Sequence, residues 1–226
     1  GHASYLPARA MAHAGASPHW EQMWGAGLGK GQAFDVGAPS QTLVGELART
    51  SYARKRGMAA LVPGCGRAYD ALALAKHGFD SVLAVDIAPT AVAAAKRELE
   101  ESKDPDAPKV EVKEADFFSM EGQYDLIWDC TFLCALNPSV RQRLAAKQRE
   151  LLAPGGTLLT CVFPICDKEG GPPFALSVPL VRGLLEPLGL EAAAVYEDLP
   201  DSEQHRPGGL ASGTKTALAA WRVAGK

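Results

Sequence analysis

Short apolar runs alternate with helix-forming segments along most of this chain, and that alternation limits the folds open to it. The runs "GMAALVP" (57–63), "SVLAVD" (81–86), "YDLIWDC" (124–130) and "TLLTCVF" (157–163) are strand-length and mostly apolar. Such runs suit strands covered on both faces. "KVEVKEAD" (109–116) alternates instead, as a strand with one wet face should. Between and before these runs lie helical segments. "PHWEQMW" (18–24) reads as a short helix, and "APSQTLVGELARTSY" (38–52) as a second one capped by Ser40. "AYDALALAKHG" (68–78) closes on Gly78, and "APTAVAAAKRELEES" (88–102) is an Ala-rich helix. "NPSVRQRLAAKQRELLAPGG" (137–156) starts at Pro138 and stops at glycines, while "VPLVRGLLEPLG" (178–189) carries an internal proline. Two late strands, 190–198 and 214–223, follow with no helix between them.

Strands joined through helices pair in parallel by right-handed crossovers. The last two strands share only a loop, so they pair antiparallel at one edge. The expected architecture is therefore α/β: a doubly wound, Rossmann-like, three-layer sandwich. Its seven-stranded sheet is mostly parallel, with one antiparallel strand near an edge. The 226 residues fit one domain spanning 1–226. In such sheets ligands bind beyond the C-terminal strand ends, where the strand order reverses.

Composition narrows the partners. Net charge is −3 and no basic block is present, which argues against nucleic acid, since phosphate binding needs clustered Lys and Arg. No apolar run reaches the length of a membrane span. Five cysteines without a CxxC pair predict reduced thiols and a cytoplasmic location. A monomer is expected. Residues 1–17 lack acids and begin Gly1-His2, so they read as a flexible or added leader with a faint likeness to a transit-peptide remnant.

The stretch "LVPGCGRAYD" (61–70) then asks why two glycines bracket Cys65 where the first parallel strand ends. Gly64 and Gly66 can take positive φ and let a ligand approach the backbone, while the next helix aims free N–H groups at the turn. Alone this motif also fits a plain tight turn, and the third glycine of a dinucleotide fingerprint is replaced by Tyr69. Asp86 adds weight. It ends the second strand 20 residues after Gly66, where a carboxylate can receive ribose hydroxyls, although it can also cap the following helix. The pair points to an adenosine ligand and leaves NAD and S-adenosylmethionine both open.

Two more acids stand at strand ends. Asp116, followed by Phe117 and Phe118, can take an adenine amino group while a ring covers the base. Asp129 ends the fourth strand in mid-crevice and serves equally well as a ligand contact or as a structural carboxylate. Trp20 and Trp24, four apart, share one helix face. On spacing alone they read as core anchors, though indole faces also attract a sulfonium. His77 reads as a helix C-terminal residue and His205 as a solvated loop residue. No Ser-His-Asp or Cys-His constellation and no metal-ligand spacing stands out. The lack of a general base fits attack by an ionised nucleophile, which needs alignment and water exclusion and no proton transfer.

Six segments in one order then carry a resemblance: "HWEQMWGAGLGKGQAFDVGAPSQTL" (19–43), "LVPGCGRAYD" (61–70), "VLAVDIAP" (82–89), "ADFFSM" (115–120), "YDLIWDCTFLCALNP" (124–138) and "FPICDKEGGPPFALS" (163–177). Together they resemble the thiopurine S-methyltransferase superfamily, most of all its halide/thiol methyltransferase branch. The resemblance implies the class I methyltransferase version of the fold and S-adenosylmethionine as methyl donor. It implies that Trp20 and Trp24 help close over the donor, and it puts Phe34 where the plant branch tends to carry a third tryptophan. Gly64 and Gly66 match the glycine-loop contact, Asp86 with Ile87 the ribose site, and Asp116 with Phe117 the adenine site. Asp129 matches the acid near the methionine end. The "GGPPF" loop (170–174) resembles a segment lining the acceptor pocket, which makes Cys130, Phe132 and Phe174 the expected acceptor wall. Thiopurine enzymes carry an arginine where this chain has Cys130, so the implied acceptors are small soft anions: iodide, bromide, chloride, thiocyanate, hydrosulfide or a thiolate. The alternative is a thiopurine-type enzyme acting on larger aromatic or heterocyclic thiols. A nicotinamide oxidoreductase or a non-catalytic donor-binding module would share the glycine turn and Asp86.

Overall fold

A computed structural model describes residues 18–52, 55–208 and 213–225. The expectations for residues 1–17 lie outside the described residues. The elements are α1 (Pro18–Gly25), α2 (Gln41–Arg49), β1 (Ala59–Pro63), α3 (Tyr69–His77), β2 (Ser81–Asp86), α4 (Pro89–Ser102), β3 (Val110–Glu114), β4 (Tyr124–Cys130), α5 (Arg141–Leu151), β5 (Leu152–Ile165), α6 (Val178–Leu185), β6 (Leu190–Tyr196) and β7 (Lys215–Val223).

The seven strands form one sheet in the order β3-β2-β1-β4-β5-β7-β6. The first five run parallel, and β7 lies antiparallel to both β5 and β6. The reversed strand is thus β7, and it sits one place in from the edge. The order reverses between β1 and β4, which opens a crevice at their C-terminal ends.

The apolar runs are continuous because both faces of the sheet are covered. Ala60, Val62, Val82, Ala84, Leu126 and Trp128 point to one side, where Leu43 of α2, Leu74 of α3 and Val92 of α4 pack on them. Leu61, Ile127, Leu158 and Val162 point to the other side, against Leu144 of α5 and Val181 of α6. This is the period of two acting on buried strands.

Several boundaries differ from the sequence expectation, each for a local reason. The second helix ends at Arg49, because the chain turns extended at Thr50 and brings the Tyr52 hydroxyl back to donate to buried Glu46 at 2.5 Å. Ser40 stands at its N-cap, yet its hydroxyl makes no capping bond and turns to His205 instead. The segment 137–156 splits into a 3-10 turn (Pro138–Val140), α5 and the start of β5. Leu152 pairs with Tyr124, so the glycines lie inside an irregular strand start instead of ending a helix. After α6, Pro187 has no N–H to continue an α-helix, and residues Glu186–Leu188 tighten to 3-10.

Candidate functional site

The glycine turn is built as its residues require. Gly64 and Gly66 have φ of +59° and +51°, the left-handed region that side chains seldom enter. A Cβ on Gly64 would lie 2.7 Å from Cδ2 of Phe132, so the ring rests on bare backbone. Asp86 holds the turn from the end of β2. Its Oδ2 accepts from the Gly66 N–H at 3.1 Å and its Oδ1 from the Ala88 N–H at 3.0 Å. Burial pushes the Asp86 carboxyl above its usual range, while the N–H groups of Ala88, Gly66 and Ile87 oppose that shift. Each oxygen keeps a lone pair for a ligand hydroxyl.

This turn borders a cavity of about 690 Å³ at the C-terminal strand ends, lined by Gly64, Gly66, Asp86, Ile87, Asp116, Phe117, Cys130 and Phe132. Trp20 and Trp24 of α1 line it too, and so does Phe34 of the segment leading to α2. Phe34 meets both indoles edge-on, with centroids 5.7 and 5.8 Å away. The cluster therefore serves as both core and wall, since Trp24 also packs on Ala88, Ala91 and Ala94 of α4. Glu21 ties α1 to α4 by accepting from both the backbone N–H and the hydroxyl of Thr90. Asp116 accepts from the Phe118 N–H at 3.0 Å, which caps a 3-10 turn and sets the Phe117 ring on Phe132, 5.2 Å between centroids.

Two of the expected contacts stand apart from the cavity. Asp129 is 1% exposed and does not line it. Its Oδ1 accepts from the Leu133 N–H at 3.0 Å, and its Oδ2 from the Gln148 side-chain amide at 2.6 Å. Those bonds brace the turn that carries Thr131, at φ +59°, and Phe132. Of the "GGPPF" loop, Gly171, Pro172 and Pro173 face the cavity, while Phe174 packs back on Gly171 and donates its N–H to the Cys134 carbonyl at 2.7 Å.

Burial drives the Asp129 carboxyl up to about 6, with its donors opposing. An acid raised from 3.8 in the unfolded chain binds more protons when folded between those two values. Its contribution to stability is therefore complete below pH 4 and lost as pH rises through about 6. Asp129→Asn is expected to remove about 3 kcal/mol of that pH dependence, because Gln148 can rotate to present its oxygen to the new amide. Denaturant unfolding of both proteins from pH 4 to 7 checks this, and equal slopes with pH would refute it.

Other cavity residues escaped sequence reading. Arg67 lies with its guanidinium 5.4 Å from the Trp24 ring, donates to Asp35 at 2.8 Å and donates to the Leu28 carbonyl at 2.6 Å. Asp35 in turn accepts from the N–H groups of Gly31 and Gly37. The pair clamps the loop after α1 onto the glycine turn. Tyr69 lines the cavity beside them, and burial, with Asp35 nearby, raises its phenol, so it stays a proton donor. His205 is 5% exposed, not solvated: it lines the cavity, packs edge-on against Phe163 at 4.8 Å, and places Nδ1 3.2 Å from Ser40 Oγ and 3.8 Å from Cys130 Sγ. Burial opposes a charge on its ring, but Cys130 and Asp70 outweigh it and raise the pKa. His77 does end α3, and its Nε2 accepts from the Tyr52 N–H at 3.3 Å. All five cysteines are free thiols. Among the described residues no helix is long and apolar enough to cross a membrane.

A glycine turn under an acid at the end of the second strand, in a sheet of this order, defines a class I methyltransferase fold. Solved structures share it. One determined in work on converting a disulfide into a thioacetal during echinomycin biosynthesis superposes with TM-score 0.70 at 19% identity, covering 91% of this chain and 92% of that one. The glycopeptide N-methyltransferase MtfA complexed with S-adenosyl-L-methionine gives 0.62 at 16%, covering 84% and 96%. Residues 16–222 match the thiopurine S-methyltransferase family, and the chain belongs to that family of S-adenosylmethionine-dependent methyltransferases. Similar proteins include probable thiol methyltransferase 2 of Arabidopsis thaliana, 38% identical over 79% of this chain and 76% of that protein. Thiocyanate methyltransferase 1 of Brassica oleracea is 33% identical over the same shares, and thiopurine S-methyltransferase of Vibrio cholerae 30% over 65% and 71%.

Proposed function

We propose that this enzyme methylates small soft anions: halides, thiocyanate, hydrosulfide or a thiolate. The observation that carries the reading is the wall at the end of β4. Cys130 stands there in place of a planar cation, the paired Phe117 and Phe132 rings line the same cavity, and Phe163 lies against His205. Its similarity to proteins named thiol and thiocyanate methyltransferases supports the same acceptor class.

When bound, S-adenosylmethionine supplies a methyl on a sulfonium, an electrophile that needs no acid to leave. Asp86 and Ile87 would hold the ribose, Asp116 would take the adenine amino group and Phe117 would cover the ring. The N–H groups of the Gly64–Gly66 turn approach the donor's chain, and Trp20, Trp24 and Phe34 face its positive charge. Asp129 acts from beneath, by holding the Phe132 turn in place. With that donor held, an ionised acceptor would form its bond to the methyl carbon as the carbon–sulfur bond broke, and the electron pair would leave with S-adenosylhomocysteine. Opposite charges cancel in the transition state, so a dry apolar wall favours it over ions in water. No residue has to take a proton from an acceptor that is already ionised.

Such a wall discriminates by the cost of stripping water from the anion. Weakly hydrated iodide and thiocyanate are expected to react at least about tenfold faster than chloride. A competition assay with iodide, chloride, thiocyanate, hydrosulfide and a mercaptopurine, scored by kcat/KM, tests the reading. A mercaptopurine at the top of that order would replace it with a thiopurine-type enzyme.

A further inference from the structure

His205, Cys130 and Cys161 come from three separate places in the chain. Cys130 ends β4, Cys161 is its direct neighbour across the parallel pairing on β5, and His205 arrives from the loop before β7. One ligand atom from each lies within 4.8 Å of the other two. Zinc binds thiolate at about 2.3 Å and imidazole at about 2.0–2.1 Å, so tetrahedral angles separate such ligand atoms by roughly 3.5–3.8 Å. The 3.8 Å between His205 Nδ1 and Cys130 Sγ already matches this. We propose that Cys130, Cys161 and His205 form a binding site for a thiophilic divalent cation, zinc in the first place, at the acceptor end of the cavity.

Charge selects the ion. Two thiolates and a neutral imidazole cancel two positive charges, so the filled site carries no net charge in a buried place. A monovalent soft ion would leave one negative charge uncompensated. Access and an open fourth position come from the same geometry. Cys130 and His205 line the cavity, whereas Cys161 is buried behind them. Cysteine ligates as the thiolate, so metal binding at Cys130 and Cys161 displaces their thiol protons. Three ligands with one face open to the cavity leave room for a water or a soft anion on the metal. An ion seated there lies near Phe163, which packs on His205, and changes the shape and charge of that end of the cavity.

Zinc titration of the full chain against a chromophoric chelator measures this without any acceptor, so it stands apart from the acceptor reading above. One equivalent is expected to bind. Cys161→Ser and Cys161→Ala are expected to weaken it by more than the roughly 10–100-fold that losing an outer-shell partner costs. Both variants should keep the thermal shift caused by S-adenosylmethionine, which shows that they fold. Cobalt(II) added to the unaltered protein should give a thiolate-to-metal charge-transfer band that alkylating the thiols abolishes. Zinc binding unchanged in both variants, or a cobalt spectrum without thiolate character, would overturn the site.

Discussion

Asp86→Ala is expected to weaken S-adenosylmethionine binding about 100-fold or more. Charge-assisted hydrogen bonds contribute roughly 1.5–3 kcal/mol each, and in the proposed site Asp86 accepts from two ribose hydroxyls. The carboxylate does a second task, because it accepts from the N–H groups of Gly66 and Ala88. Truncation leaves both donors without their partner and loosens the glycine turn at the moment the ligand needs it. Asp86→Asn separates the two tasks. Its remaining carbonyl keeps one backbone donor, so the variant should bind almost as poorly as Asp86→Ala but melt closer to the unaltered protein. Calorimetry with S-adenosylhomocysteine, alongside thermal melts, gives both numbers. Wild-type affinity in a folded Asp86→Ala protein would remove the carboxylate from the donor site.

Gly64→Ala is expected to lower kcat/KM about 100-fold with a smaller loss of stability. The residue has φ +59°, which costs an alanine of order 1 kcal/mol. The larger effect is steric, since the new methyl would lie 2.7 Å from the Phe132 ring and must displace it from the wall of the cavity. Gly66→Ala makes the comparison. Its methyl would meet Trp24 at 3.5 Å, an ordinary contact, so it should keep more activity than Gly64→Ala. Adding Phe132→Ala to Gly64→Ala should restore donor affinity, as residues in contact couple. Failure of the second change to restore any affinity would mean that Gly64 acts through the backbone alone.

The strand and helix order was legible from residue types because each element carried its own period. The turn between β1 and α3 was legible for the same reason, since only glycine sits comfortably where φ is positive on both sides of Cys65. Asp86 and Asp116 were readable as acids on the cavity rim because a parallel sheet puts every strand end on one side. Side-chain direction was another matter. Asp129 ends a strand as Asp86 does, yet it points into the protein, because Gln148 of α5 and the Leu133 N–H wait on that side. Phe174 folded back over Gly171 and away from the cavity, with its N–H bonded to the Cys134 carbonyl. Arg67 and Asp35 lie 32 residues apart and became a clamp only when α1 settled on α4. His205 sits in a stretch as polar as any surface loop, and its partner Ser40 is 165 residues away. Local sequence sets what an element is and where it stops. Which of its side chains meet in the cavity is decided by contacts between residues distant in the chain, and those exist only once the sheet has assembled.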